Sequence, residues 1–166
     1  MLVRLIGEKI TLTFDLDCKL GPIRIDPTQL QQILLNLVLN ARDAVGAGGE
    51  IRIITSECQL QIINSGRNPA FPCALLSVED NGAGMDDEIR SHVFEPFFTT
   101  KASSGTGLGL ATVHEIVTSN GGLIHVDSAP GRGTRFTVLL PVASPLRPND
   151  FYPQQGEVPS STKEES

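Results

Sequence analysis

The segment from Asp26 to Val45, DPTQLQQILLNLVLNARDAV, constrains the fold more than any other part of the chain. Asp26 can cap a helix, Pro27 suits the first helical position, and Gln29 is placed to complete a capping box. Leu30, Ile33, Leu34, Leu37, Ala41 and Ala44 then recur at helical spacing, and the glycines between Gly46 and Gly49 stop the run. Gln32, Asn36, Asn40 and Asp43 fall at intervals of three or four and line a separate polar stripe. The segment is a helix with one face for a core and one face for something polar.

Around it the chain alternates between short strands and turns. Lys9 to Leu16 carries Ile10, Leu12, Phe14 and Leu16 in alternation, as a half-buried strand does. Gly21-Pro22 is a turn before a short strand at Ile23 to Ile25. Glu50 to Ile63 and Ala74 to Glu79 are strands separated by a hairpin loop over Asn64 to Pro72. Asp86 to Phe94 is a short helix with an acidic first turn, and Thr99 to Gly105 is polar and small, a composition that predicts a mobile segment. Leu108 to Ser119 is a second amphipathic helix closed by Asn120-Gly121-Gly122. Leu123 to Ser128 and Gly133 to Leu140 are strands joined at Ala129-Pro130-Gly131.

From Ala143 the chain is rich in proline and serine, and its composition predicts a disordered tail over residues 143–166. The ordered domain is therefore expected over residues 1–142. Its pattern predicts a two-layer α/β sandwich, with a mixed sheet on one face and helices on the other. The regular strand–helix alternation of a doubly wound parallel sheet is missing.

Charge and cysteine content narrow the function classes. A net charge of −6 with scattered basic residues suits a nucleic-acid backbone poorly. Cys18, Cys58 and Cys73 are far apart and form no CxxC pair, which predicts reduced thiols and neither a disulfide framework nor a zinc site. No apolar run approaches the roughly 20 residues that cross a bilayer, and no signal peptide opens the chain. Reduced thiols predict a cytoplasmic setting, and first residues that lead almost at once into a strand read as a fragment of a longer protein.

Three stretches carry chemistry. On the polar stripe, two asparagines in mid-helix are compatible either with a solvated outer face or with the Asn40 amide oxygen ligating Mg²⁺. VEDNGAGM, from Val78 to Met85, ends a strand with acids and offers Gly82 and Gly84, where backbone can approach a flat ligand. There Asp80 can accept from an exocyclic amine, or it can simply cap a tight turn. GTGLGL, from Gly105 to Leu110, runs straight into a helix and so aims unpaired N–H groups at an anion. It is neither GxxxxGK[ST] nor GxGxxG, which excludes a P-loop enzyme and a Rossmann dehydrogenase. Lys101 stands just upstream, either as a surface lysine or as a point charge for a terminal phosphate. Phe94, Phe97 and Phe98 flank Glu95-Pro96, as core packing or as the anchor of a lid.

The order of these stretches resembles the histidine-kinase branch of the ATPase superfamily that includes gyrase, heat-shock chaperones and mismatch-repair ATPases. LQQILLNLVLNARDA is similar to its asparagine box, VEDNGAGM to its first glycine box and FEPFFTTK to its phenylalanine box. GTGLGLA is similar to its second glycine box and GRGTRFTVLLP to its closing strand, so the likeness spans about Leu5 to Pro141. The resemblance implies a Bergerat-type fold with an ATP pocket under a mobile lid. It further implies that Asn40 binds Mg²⁺, with Asn36 and Asp43 close by. Asp80 would hold the adenine amino group, helped by Gly84 and the Thr134 hydroxyl, and Gly82, Met85 and Phe94 would also belong to the nucleotide site. Lys101 and the backbone of Gly105, Thr106, Gly107, Leu108, Gly109 and Leu110 would cover the phosphates.

Asn36 separates the branches. In the hydrolytic ones the matching position is typically a glutamate that activates water, and an amide cannot take that proton. Phosphoryl transfer needs mainly positioning and charge neutralisation. His92, His114 and His125 are the only histidines, and none sits in a run like the family's acceptor. The resemblance therefore implies a kinase half without its own acceptor. The partners would be a dimeric helical hairpin bearing the histidine and, downstream, the aspartate of a response-regulator receiver domain. A slow gyrase- or chaperone-type ATPase and a non-enzymatic nucleotide-binding module are the alternatives.

Overall fold

The computed structural model describes residues 5–7, 9–61, 70–100 and 105–142. The expected tail over residues 143–166, Lys101 and most of the expected hairpin loop lie outside them. In chain order the elements are β1 (Thr11–Leu16), α1 (Pro27–Ala44), β2 (Glu50–Gln61) and β3 (Ala70–Asp80). α2 (Asp87–His92), α3 (Gly109–Ser119), β4 (Leu123–Ser128) and β5 (Thr134–Pro141) follow.

The strands form one mixed sheet in the order β1-β2-β3-β5-β4. Only β1 and β2 run parallel; the other neighbours are antiparallel. α1 and α3 pack on one another and on the same side of the sheet, giving the two-layer sandwich. Alternation along each strand supplies the core. Ile53, Val78, Phe136 and Val126 stand in register across β2, β3, β5 and β4. With Ile33, Leu37, Val38 and Ala41 of α1 and Val113 and Val117 of α3 they are buried.

α1 begins as its sequence dictates. The Asp26 carboxylate accepts from the Thr28 amide at 2.7 Å, and that bond holds its pKa below the usual carboxylate range. Gln29 turns elsewhere: its side-chain oxygen accepts from Asn120 Nδ2 at 3.1 Å, tying the start of α1 to the end of α3.

Three expectations need correction. Phe14 and Leu16 of β1 are 52% and 58% exposed, because β1 is an edge strand and α1 lies over β3 and β2. The strand expected at Ile23 to Ile25 is a single bridge from Ile23 to Val142. Cys58 and Cys73 are bonded as a disulfide rather than held as separate thiols. They are direct partners on β2 and β3, a proximity created by antiparallel pairing and invisible in their separation of 15. Cys18 is free and exposed.

Candidate nucleotide site

The polar stripe of α1 faces a cavity of about 240 Å³. Asn36, Asn40 and Asp43 line it from one side, and Gly105, Thr106, Gly107, Gly109 and Leu110 from the other. Met85, Phe98, Thr99 and Thr100 complete much of the wall. The Asp43 carboxylate is also engaged by Arg42 at 2.6 Å.

Two features suit the glycine-rich wall to an anion. α3 starts at Gly109 with no side-chain cap, so its first amides are left for a ligand. The loop ahead of it is fixed against the segment after α2: the Phe97 amide donates to the Gly107 carbonyl at 2.9 Å. Gly107 has φ +67°, and a Cβ there would run into the Phe97 backbone. Phe97 itself has φ +68°, uncommon for a bulky side chain, and the residue is 75% exposed.

That reversal decides which aromatic faces the cavity. Phe98 lines it, whereas Phe94 does not. Phe94 is drawn into the core by its contacts with Phe136 and His114, at 6.2 Å and 5.5 Å between ring centroids. Leu108 does not line the cavity either and is 41% exposed. Gly82 and Gly84 act at one remove, through the course of the loop after β3. Ala83, between them, donates its amide to the Ala44 carbonyl at 3.1 Å, so the loop hugs the end of α1. Gly84 has φ +69° and lies so close to Ala129 that a Cβ would collide with the Ala129 carbonyl.

Asp80 and Thr134 line a neighbouring cavity of about 390 Å³. Burial pushes the Asp80 carboxyl above the usual carboxylate range, against hydrogen bonds from the Gly82 and Thr134 backbones. The Gly82 amide reaches Asp80 Oδ1 at 2.8 Å. The two cavities meet at one hydrogen bond, in which the Met85 amide donates to Ser128 Oγ at 2.8 Å. Ser128 also lies 3.0 Å from both the Gly133 carbonyl and the Thr134 hydroxyl. Sequence reasoning passed over Ser128, although alternation with Ile124 and Val126 along β4 puts it on the helix-facing side.

Among the described residues no three His, Cys, Asp or Glu side chains cluster as metal ligands. A single amide oxygen at Asn40 beside an anion cradle is the donor set that suits Mg²⁺, which shares its shell with phosphates and water. None of the three histidines lines the cavity. Among the described residues no helix is long and apolar enough to cross a membrane.

Comparison with known proteins identifies the family. Residues 25–144 match the family described as histidine kinase-, DNA gyrase B-, and HSP90-like ATPase. The chain is 46% identical over 136 residues to the sensor histidine kinase ZraS of Klebsiella oxytoca, covering 82% of this chain and 27% of ZraS. It is 42% identical over 147 residues to the signal transduction histidine-protein kinase AtoS of Escherichia coli K12, covering 86% of this chain and 22% of AtoS. It thus spans about a quarter of the length of these relatives. Among solved structures, the mycobacterial sensor histidine kinase MprB superposes with a TM-score of 0.67 at 26% identity, over 83% of this chain and 87% of that one. Full-length ShkA in complex with AMPPNP superposes with a TM-score of 0.63 at 30% identity, over 88% of this chain and 28% of ShkA.

Proposed function

Because this chain belongs to the histidine kinase-, DNA gyrase B-, and HSP90-like ATPase family, we propose that it is the ATP-binding catalytic domain of a two-component sensor histidine kinase. In this reading it holds Mg·ATP between α1 and the loop ahead of α3 and delivers the γ-phosphoryl group to a histidine on a separate dimerisation hairpin.

The observation that carries the reading is the pairing of Asn36 and Asn40 with the uncapped start of α3 across one cavity. The backbone amides around Gly105 to Leu110 receive phosphate oxygens there, aided by the helix dipole. Asn40 would hold the metal through its amide oxygen, and Mg²⁺ would supply neutralisation of phosphate charge when bound. Asp80 and Thr134 accept from the amino edge of the adenine. Lys101, outside the described residues, would supply a positive charge for the terminal phosphate. ShkA, a structural neighbour, was crystallised in complex with AMPPNP, which supports adenine-nucleotide binding by this chain.

Transfer rather than hydrolysis follows from Asn36. Its Nδ2 donates to the Gly109 carbonyl at 3.1 Å, so the side chain fastens the phosphate loop. An amide in that place takes no proton from water. The acceptor histidine arrives from the hairpin of a longer parent chain, and the phosphoryl group passes on to a response-regulator aspartate. A cytoplasmic setting, where ATP is available, belongs to the same reading.

Incubating this chain with Mg·ATP and a separately prepared histidine-hairpin domain of a related kinase tests it. The expected product is acid-labile, base-stable phosphohistidine on the hairpin. Steady ATP hydrolysis with no phosphohistidine contradicts the assignment.

A further inference from the structure

Three strands bring Asp80, Thr134 and Ser128 into one row on the helix-facing side of the sheet. Asp80 pairs with Thr134 across β3 and β5, and Thr134 with Ser128 across β5 and β4. The Ser128 hydroxyl is the hub of the hydrogen bonds around them. The Met85 amide donates to it at 2.8 Å, the Gly133 carbonyl lies 3.0 Å away, and so does the Thr134 hydroxyl.

A serine hydroxyl has one proton and two lone pairs. The Met85 amide can only donate, so it occupies one lone pair. The Gly133 carbonyl can only accept, so it takes the Ser128 proton. The second Ser128 lone pair then receives the proton of Thr134. This is the one arrangement in which all three contacts are hydrogen bonds, and leaving a buried carbonyl unpaired is costly. Thr134 is buried, only 6% exposed, so its proton is committed to Ser128.

We propose that Ser128 is a specificity-determining residue that acts through Thr134. By taking the Thr134 proton it leaves that hydroxyl an acceptor only, so the Asp80–Thr134 pair accepts an exocyclic amine and rejects a keto oxygen. Adenine carries an amine on the carbon where guanine carries a keto oxygen. Two acceptors facing that oxygen repel it, whereas a free hydroxyl could turn and donate to it. The proposal rests on the nucleotide-site reading above.

The test is calorimetric titration of the folded chain with Mg·ATP and with Mg·GTP. In Ser128→Ala the ratio of ATP to GTP affinity falls about tenfold, the worth of one hydrogen bond changing sign at a keto oxygen. Ser128→Thr, which keeps the hydroxyl, restores most of the ratio. In a Thr134→Val background, adding Ser128→Ala leaves the ratio unchanged, because the residue it acts through is gone. Should Ser128→Ala not fold, Ser128→Cys keeps the volume with a weaker acceptor and lowers the ratio in the same direction. Equal weakening of both nucleotides, or an unchanged ratio in a folded variant, overturns the proposal. A wild-type chain that binds neither nucleotide overturns the site reading itself, and this proposal with it.

Discussion

The side-chain amide of Asn36 donates to the main-chain carbonyl of Gly109 at 3.1 Å, fastening the middle of α1 to the first residue of α3. The two residues are 73 apart in the chain, so this bond joins α1 across the cavity to the loop ahead of α3. Removing the donor in Asn36→Ala should cost about 1 kcal/mol of local stability. Amide hydrogen exchange at the start of α3 should quicken, and ATP affinity should fall several-fold. Asn36→Asp should weaken ATP binding more, since a carboxylate there faces both a carbonyl and the phosphates. ATP binding by Asn36→Asp that equals the wild type would contradict the tether.

Asp80 gives a pH signature. Burial raises its carboxyl above the usual range, so the folded chain retains a proton that the unfolded chain has already lost. The folded state binds more protons in that interval, and the contribution of Asp80 to stability is lost as pH rises through its folded value. Urea titrations should show Asp80→Asn gaining stability relative to wild type as pH rises across that window. A gap that is flat with pH would remove the raised carboxyl from the account.

Binding should run the other way. In the proposed site the ionised carboxylate accepts from the adenine amine, so ATP affinity should rise with pH through the same interval. At neutral pH, Asp80→Asn should lose about 1–3 kcal/mol of ATP binding. Calorimetry decides it: unchanged affinity would take Asp80 out of the adenine site.

Gly84 and Gly121 both have positive φ, near +70°, but differ in their surroundings. A Cβ at Gly121 meets open space, whereas at Gly84 it meets the Ala129 carbonyl. Gly121→Ala should cost about 1–2 kcal/mol, the strain of the left-handed conformation. Gly84→Ala should cost clearly more, about 2–4 kcal/mol, because the β4–β5 turn must also move. Denaturant midpoints compare them directly, and equal losses would mean that the turn gives way freely.

Much of this was legible from local rules. Asp26-Pro27 and the spacing of Leu30 to Ala44 define α1, and the limits of β4 at Leu123 and Ser128 coincide with the expected strand. The same helical spacing placed Asn36, Asn40 and Asp43 together, and they share one cavity with Met85 and the loop from Gly105. What depended on long-range register was not legible. Cys58 meets Cys73 only because β2 and β3 pair at that offset, and Phe14 and Leu16 are exposed only because their strand lies at the sheet's edge. Phe98 rather than Phe94 faces the cavity because the chain reverses at Phe97, a dihedral that no pattern of residue types announces.

The metal claim turns on Asn40. Exchanging its neutral oxygen for a charged one in Asn40→Asp should alter the Mg²⁺ concentration needed for half-maximal ATP binding, because the balance of charge between ligand and phosphates changes. An unaltered Mg²⁺ dependence would mean that the cation sits elsewhere.

A crystal structure of this chain with Mg·AMPPNP tests the central claim most directly. The predicted result places the triphosphate against the amides from Gly105 to Leu110, Mg²⁺ about 2.1 Å from Asn40 Oδ1, and the adenine amine within hydrogen-bonding reach of Asp80. A nucleotide bound outside the α1–α3 cavity, or a cation remote from Asn40, would contradict it.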